Sequence, residues 1–508
     1  MNQFKKKNVL SILLAVLLAA GTMTACSGEP TDSENSSGNS TNDSSKTDTT
    51  RMEETTPIRI IMFGDTTPRR TEYMENELHD RVMEDLNIDL TVEFLPWDSQ
   101  NPQLMLAGGE DFATQSGMAG GFSQAVSKGW FAELTEEQIN TYCPDLLKIR
   151  EPHGLDAVKF NNKIYGVPIG NKPYSGENQV LMVREDLMEE AGIEDITNID
   201  ELNAAFKAVK EKHPDYTMLV EPRTFDGYLR GVINPGKAMD MIPGIDYAYV
   251  DSLAEDDKVY SYFESEAFKK HCEINREWNE MGIITADGMA NPSQGIADWK
   301  AGRAFAYAGT AARIMEETPG LKANVPNVKL KNIRLGDAPR TYFQDNNVCY
   351  SISAESPHPE AYLMFLNWMF SSQEVYDFLA YGVEGKDYQL QGEKVEKLVS
   401  DNFWDEWQIF NLTNGRYNVD VSDDFIESYK KWDDDAIASK ALGFNMDTSM
   451  LSTELSMMDA VMSETIKPMA LGFQEYNEAA IQELKDAGLD KYMEEAQKQF
   501  SEWYKNQK

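Results

Sequence analysis

The sequence predicts an α/β protein of two lobes wrapped by C-terminal helices. Three observations carry this: a β-α-β pattern at the start of the ordered chain, strands alternating with helices through the middle, and a last third that is mostly helix. Ile58-Arg59-Ile60-Ile61-Met62-Phe63 reads as a buried strand ending at Gly64-Asp65. Met74, Leu78, Val82 and Leu86 then recur every four residues and outline an amphipathic helix, after which Ile88 to Phe94 alternates as a second strand. Such a unit implies a parallel sheet with right-handed crossovers. Ligands of open parallel sheets sit beyond the carboxyl ends of the strands, and Asp65 and the Pro96-Trp97 pair occupy those ends.

Leu104 to Phe131, with Gly108-Gly109, Gly117 and Gly120-Gly121, reads as a helix, a loop and another helix start. Its glycines do not have the G-x-x-x-x-G-K-[ST] spacing of a phosphate-cradling loop, so they are read as loop geometry beside a cleft. Asn161 to Pro168 predicts a turn and a strand that Pro168 terminates, Val180 to Arg184 another strand, and Glu185 to Ala191 a helix closed by Gly192. Asp298 to Tyr307 predicts a helix end, a turn and a buried strand; Asn347 to Ser353 is strand-like, and Pro359 to Phe370 starts a helix. Beyond it the chain reads as largely helical, down to an amphipathic stretch at Leu489 to Tyr504.

The N-terminal residues have a different character. Lys5, Lys6 and Lys7 precede the apolar run Val9 to Ala20, and small residues lead to Met23-Thr24-Ala25-Cys26. This is the layout of a secretion signal. Its apolar run is roughly a dozen residues, short of the roughly 20 that span a membrane. The single cysteine makes it resemble a lipobox, which implies a lipid on the Cys26 thiol after cleavage; a plain secretory signal with an incidental cysteine is the alternative. Ser27 to Thr56 is almost wholly Ser, Thr, Asn, Asp, Gly and Glu. So little apolar surface cannot offset the entropy of ordering, and a flexible tether is expected. No later run of 18 uncharged apolar residues predicts a transmembrane helix.

Composition and spacing remove several function classes. With 85 acidic against 47 basic side chains the net charge is −38, which repels phosphate backbones, so nucleic acid is not an expected ligand. The acids are scattered and read as a solvated surface. Cys143, Cys272 and Cys349 have no metal-binding spacing, and their odd number gives no disulfide framework. His79, His153, His213, His271 and His358 form no H-E-x-x-H or similar pair. Asp420, Asp423 and Asp424 are acidic enough to suggest calcium, but lack the glycine and terminal glutamate of a calcium loop. No cofactor is expected.

Several segments carry a family likeness: MTACSG with its polar tether, NNKIYGVP, LMVREDLMEEAGI, ADWKAGRAFAYAG, HPEAYLMFLNWMFSSQEVYDFLAYGVEGKDYQL, and the closing AAIQELKDAGLDKYMEEAQKQFSEWYKNQ. Together they make most of the chain resemble the extracellular solute-binding proteins of carbohydrate ABC transporters, specifically the large Gram-positive lipoproteins of the LplA/LipO type. The YGVEGKDY segment and the closing helices resemble that subfamily's own C-terminal region. The resemblance implies a type II periplasmic-binding-protein-like fold, two α/β lobes closing on a sugar, and no catalysis. It also implies delivery to the permease subunits of an ABC transporter by a monomer held outside the cell by its lipid anchor. The expected division is a signal at 1–25, the lipidated cysteine and tether at 26–56, an N-terminal lobe from 57–170 and 305–355, and a C-terminal lobe from 171–304 and 356–508. Met23 stands where such a lipobox more often has Leu, and Asp65 to Arg70 supplies no clear sugar motif.

A pyranose offers hydroxyls around its rim and a C–H face, so its site wants aromatic platforms beside a few placed polar groups. The candidates are Asp65, Trp97, Tyr174, Tyr228, Trp299, Tyr342, Trp404, Trp407 and Asn411. Trp404-Asp405-Glu406-Trp407-Gln408 alternates rings with hydrogen-bonding groups between Asn402 and Asn411, which a helix core does not need. Trp278, Trp368, Trp432 and Trp503 sit in helical patterns and read as core, the alternative role for every ring among the candidates. A strand-end turn or helix cap is the alternative for Asp65. Two other functions stay open: a secreted glycoside hydrolase, which needs a carboxylate pair at a defined separation that sequence does not display, and a solute receptor for peptides.

Overall fold

The computed structural model describes residues 51–507 apart from 97–98, 150–154, 170–178, 235, 243–246, 292, 337–338, 343–345, 410–413 and 432–433. Residues 48–508 form one compact unit. Two sheets, each with its own core, divide it into two lobes.

The first sheet runs in the order Tyr350–Ile352, Ala113–Gln115, Thr56–Phe63, Ile88–Leu95. Thr56–Phe63 pairs in parallel with Ile88–Leu95 along its whole length and with Ala113–Gln115 through Ile60 and Ile61. Tyr350–Ile352 closes the sheet antiparallel to Ala113–Gln115. The helix read from the four-residue spacing is present, with Met74, Leu78, Val82 and Leu86 all buried. It is interrupted by a π turn at Tyr73–Leu78 and ends at Asn87 in the left-handed region, φ 56°. Asn and Gly bear that conformation at least cost. The three-residue strand Ala113–Gln115 lies inside the stretch read as helix and loop. A strand that short has no periodicity to reveal it.

The second sheet runs Leu330–Ile333, Gln179–Arg184, Ala304–Thr310, Thr217–Val220. Ala304–Thr310 is parallel to Thr217–Val220 and antiparallel to Gln179–Arg184, and Leu330–Ile333 is antiparallel to Gln179–Arg184. Its core takes Phe206, Trp278 and Phe305 together with Phe444 and with Met458, Ile466, Leu484, Tyr492 and Phe500 from the C-terminal helices.

These pairings correct the expected lobe boundaries. The chain from Phe305 to Leu335, expected in the N-terminal lobe, builds the second sheet and its core. Residues 359–409, assigned to the C-terminal lobe, instead cover the first sheet, with Tyr362, Phe365, Leu379 and Phe403 in the first core. An apolar helix such as Pro359–Trp368 satisfies either sheet equally well, so its own pattern does not choose between them. The last third also holds a hairpin, Tyr388–Gln391 with Lys394–Lys397, turning at Gly392 with φ 65°. The expected tether is shorter at its C-terminal end, since Met52 N–H donates to Leu86 O and strand pairing begins at Thr56. Among the described residues no helix is long and apolar enough to cross a membrane. Cys143, Cys272 and Cys349 are buried thiols.

Candidate functional site

Strand register locates the site. The chain enters the first lobe at Tyr350, which pairs with Gln115 at the carboxyl end of its strand. It enters the second lobe at Gln179, which pairs with Thr310 at the carboxyl end of Ala304–Thr310, and leaves after Ile333, which pairs with Leu181 on the same side. Both sheets thus turn the carboxyl ends of their parallel strands toward the crossing segments. Those are the ends at which open α/β sheets hold ligands.

On the first lobe, the loop after Phe63 is organised by Arg70. Its Nη1 donates to Asp65 O at 2.9 Å, its Nε donates to Phe403 O at 3.1 Å, and the guanidinium lies 3.7 Å over the Phe94 ring. Nη2 stands 3.7 Å from Asp405 and has no hydrogen-bond partner among the described residues. Burial lowers the Arg70 pKa, while Asp405, Asp65 and Asp401 oppose that shift. Gln408 Nε2 donates to Phe63 O at 3.0 Å and its Oε1 accepts from Asp405 N–H at 2.9 Å. The exposed Asp65 and the segment around Asp405, more than 300 residues apart in sequence, therefore meet at one strand end.

On the second lobe, Val220 ends its strand and Glu221 follows in the left-handed region, φ 57° and ψ 54°, directly before Pro222 and the helix Pro222–Val232. A non-glycine residue there stores strain of about 1–3 kcal/mol, and such strain gathers at functional sites. Glu221 Oε1 is 3.3 Å from Arg313 Nη2. Burial raises the Glu221 pKa against the pull of Arg313 and Arg223. Arg313 lies in the first turn of the helix Ala311–Asn324, which Thr310 caps. Beside it Tyr307 is fully buried, and burial pushes its pKa up to about 12 against the pull of the neighbouring Arg313.

The sequence candidates divide. Asp65 is exposed in the loop at the carboxyl end of the Thr56–Phe63 strand. Tyr342 is half-buried on a crossing strand, Thr341–Tyr342, which pairs in parallel with Ile437–Ala438, and its carbonyl accepts from Ser439 N–H at 2.9 Å. Trp299 and Trp404 are corrections to the expected loop platforms. Trp299 is 0% exposed and packs edge-on to Tyr307 at 5.5 Å, and Trp404 is 1% exposed with its ring 6.2 Å from Phe365. Both indoles fill the interior, where a large ring contributes most by burial, and neither N–H has a partner among the described residues. Trp97, Tyr174 and Asn411 lie outside the described residues. So do the side chains of Tyr228, on the helix after Glu221, and Trp407, on the short helix Glu406–Ile409. Cys26 is also outside them.

Sequence reading missed Glu221, Arg313, Tyr307 and Arg70. The Glu-Pro step after an apolar strand was the available signal for Glu221; nothing local marks the arginines. The arrangement offers carboxylate acceptors and guanidinium donors at the ends of both sheets, suited to holding a neutral, hydroxyl-rich ligand. Asp423 pairs with Lys394 at 2.7 Å, and among the described residues no group of three or more His, Cys, Asp or Glu is placed to hold a metal ion.

Comparison with known proteins agrees with this geometry. Residues 77–383, more than half of the chain, match a family described as bacterial extracellular solute-binding protein, and residues 440–505 match a domain of unknown function. A carbohydrate ABC transporter substrate-binding protein of Streptococcus pneumoniae serotype 4 is 25% identical over 476 residues, covering 89% of this chain and 91% of its own length. Among solved structures, an N-glycan transport solute binding protein from Streptococcus pneumoniae has a TM-score of 0.72 at 22% identity, covering 89% of this chain and 100% of its own. A solute binding protein from Bifidobacterium longum infantis, described as binding HMO, has a TM-score of 0.61 at 15% identity, covering 88% of this chain and 99% of its own. These likenesses show the two-lobed solute-binding fold.

Proposed function

The chain belongs to the bacterial extracellular solute-binding proteins, and from that premise we propose that it captures an oligosaccharide outside the cell and delivers it to an ABC importer. The observation that carries this reading is the convergence of both sheets' carboxyl ends on the crossing segments. A ligand lying there touches both lobes, and a ligand shifts an open–closed equilibrium only through contacts that differ between the two states. Closure is then what the permease reads. The carbohydrate ligand is supported by the name of the relative that aligns over most of both chains, and by the mixture of acceptors and donors around Asp65, Glu221 and Arg313. We assign no catalytic role: the carboxylates serve as hydrogen-bond acceptors.

The anchoring is likewise a proposal. The basic residues, short apolar run and Cys26 support a lipid-anchored monomer on the outer face of the cell membrane, with the polar residues after Cys26 as tether.

A thermal-shift screen of the chain from Asp48 onward tests the ligand class, using xylo-, gluco-, manno-, galacto- and pectin-derived oligosaccharides. The panel includes Man5GlcNAc and Man1GlcNAc, the glycans bound in solved structures of the N-glycan transport protein. A ligand at a hundred times its dissociation constant adds about 2.7 kcal/mol of stability. A hit that chromatography recovers unshortened supports the binder; no shift and no heat of titration across the panel removes the carbohydrate reading, and shortened products replace it with a hydrolase.

A further inference from the structure

Residues 440–505, matched to a domain of unknown function, begin where the chain completes its last crossing between lobes. Ser439 N–H donates to Tyr342 O on the neighbouring crossing strand, and Lys440 is tied to the second lobe through Ser252 Oγ at 2.9 Å and the Asp256 carbonyl at 2.8 Å. Residues 441–443 form a turn, after which buried and half-buried side chains alternate from Phe444 to Asp447. Phe444 and Met446 point into the second core, where Phe444 packs 5.3 Å from Phe500 and 5.4 Å from Trp503. Asp447 N–H and O are then both held by the Gln499 side chain, at 2.8 and 2.9 Å. With 444 and 446 facing inward, 445 faces the other way.

Asn445 reaches the first lobe. Its Nδ2 donates to Ala157 O and to Lys159 O, each at 2.9 Å, and its Oδ1 accepts from Asn346 Nδ2. Both amide hydrogens and the amide oxygen are thereby engaged by the opposite lobe. Asn346 is buried, and its carbonyl accepts from Ser116 Oγ. Ser116 directly follows Gln115, the carboxyl end of a first-lobe strand. Next to this contact Gly443 has φ 86°, and a Cβ there would stand 3.2 Å from Asp156 Cβ, so the strap lies close against the first lobe.

We propose that Asn445 is the pivot residue of lobe closure, and that the C-terminal region of unknown function serves capture by holding that pivot on the second lobe. The inference rests on the reading that the lobes close over a ligand. Asn445 lies beside the crossing strands and touches backbone carbonyls, whose positions a rigid-body rotation about this point changes least. Its three hydrogen bonds therefore define the axis and limit the sampled inter-lobe angles. It acts on ligand affinity through lobe geometry and is a positioning residue.

The test is an inter-lobe distance distribution by pulsed electron paramagnetic resonance, on the chain from Asp48 onward. Spin labels are attached at Glu136→Cys on the first lobe and Lys212→Cys on the second, both exposed, while the three native cysteines in this unit are buried. Asn445→Ala, and Asn445→Asp, which keeps the shape but loses both donors, are expected to broaden the ligand-free distribution. They are also expected to weaken glycan binding roughly 10-fold, the scale of one to two net hydrogen bonds. Asn477→Ala is the control: it removes the cap of the helix Glu478–Asp486 in the same region, and should lower the melting temperature while leaving distances and affinity unchanged. An unchanged distribution in both Asn445 variants, or equal broadening by Asn477→Ala, overturns the proposal. The distances are read without ligand, so failure of the unaltered chain to bind any glycan sinks the capture reading separately.

Discussion

Glu221 combines three features that rarely coincide in a purely structural residue: left-handed backbone, a carboxyl whose pKa burial raises, and an arginine partner at 3.3 Å. Left-handed backbone costs a glutamate more than a glycine, so Glu221→Gly is expected to stabilise the fold by about 1 kcal/mol. The same change removes an acceptor from the strand end and should weaken oligosaccharide binding by roughly 10-fold or more, the scale of a charged hydrogen bond. Chemical denaturation and titration calorimetry together check this; a variant that is less stable, or that binds unchanged, leaves Glu221 a turn residue. The aromatic candidates are instructive at the same scale. Trp299 and Trp404 were separable from core tryptophans only by polar neighbours in sequence, and Asp405 and Gln408 turned out to serve the Phe63 strand end and Arg70 while the Trp404 ring turned inward. Side-chain direction in a short irregular segment is set by what packs over it, which local sequence does not contain.

Among elements, the short helix Pro68–Glu72 beside the Asp65 loop is held from far along the chain. Arg69 meets Asp387 with two parallel hydrogen bonds, Nε to Oδ1 at 2.8 Å and Nη2 to Oδ2 at 2.6 Å, and Val383 N–H donates to the same carboxylate at 2.8 Å. Asp387 lies in the YGVEGKDY loop, so that loop fixes the helix beside the Asp65 strand end. Gly382 in it has φ 88°, and a Cβ there would collide with the Phe403 ring, so another residue is excluded twice over. Burial disfavours the Asp387 charge, but Arg69 and the Val383 amide outweigh it and hold the carboxyl below the usual carboxylate range. A depressed folded-state pKa contributes stability that is fully present above the unfolded value near 3.9 and is lost as pH falls through the folded value. Asp387→Asn should thus cost about 3 kcal/mol at neutral pH, by leaving Arg69 short of its partner, and flatten the loss of stability on acidification below about pH 4. Urea melts of both proteins between neutral and acidic pH measure it; parallel pH profiles would show that the pair carries no such linkage.

For the whole molecule the governing quantity is the charge of −38. Self-repulsion at that charge opposes compaction and is screened by salt. The melting temperature should therefore rise from about 10 to 150 mM sodium chloride, where the Debye length shortens from about 30 to 8 Å; a fall would mean that surface ion pairs outweigh the net repulsion. The α/β class, the helix over Met74 to Leu86, the strands at 58–63 and 88–94 and the helical end of the chain were legible in the amino-acid order alone. Each is written in a local period or a local composition. Long-range packing set 304–335 beside 179–184 and 359–409 over the first sheet, and brought Asp65, Arg70 and Asp405 to one strand end and Glu221, Tyr307 and Arg313 to another. It also set Asn445 against Ala157 and Lys159. Those choices depend on which of two apolar sheets a segment covers, and both offer the same kind of surface, so the decision lies in the complementarity of parts hundreds of residues apart.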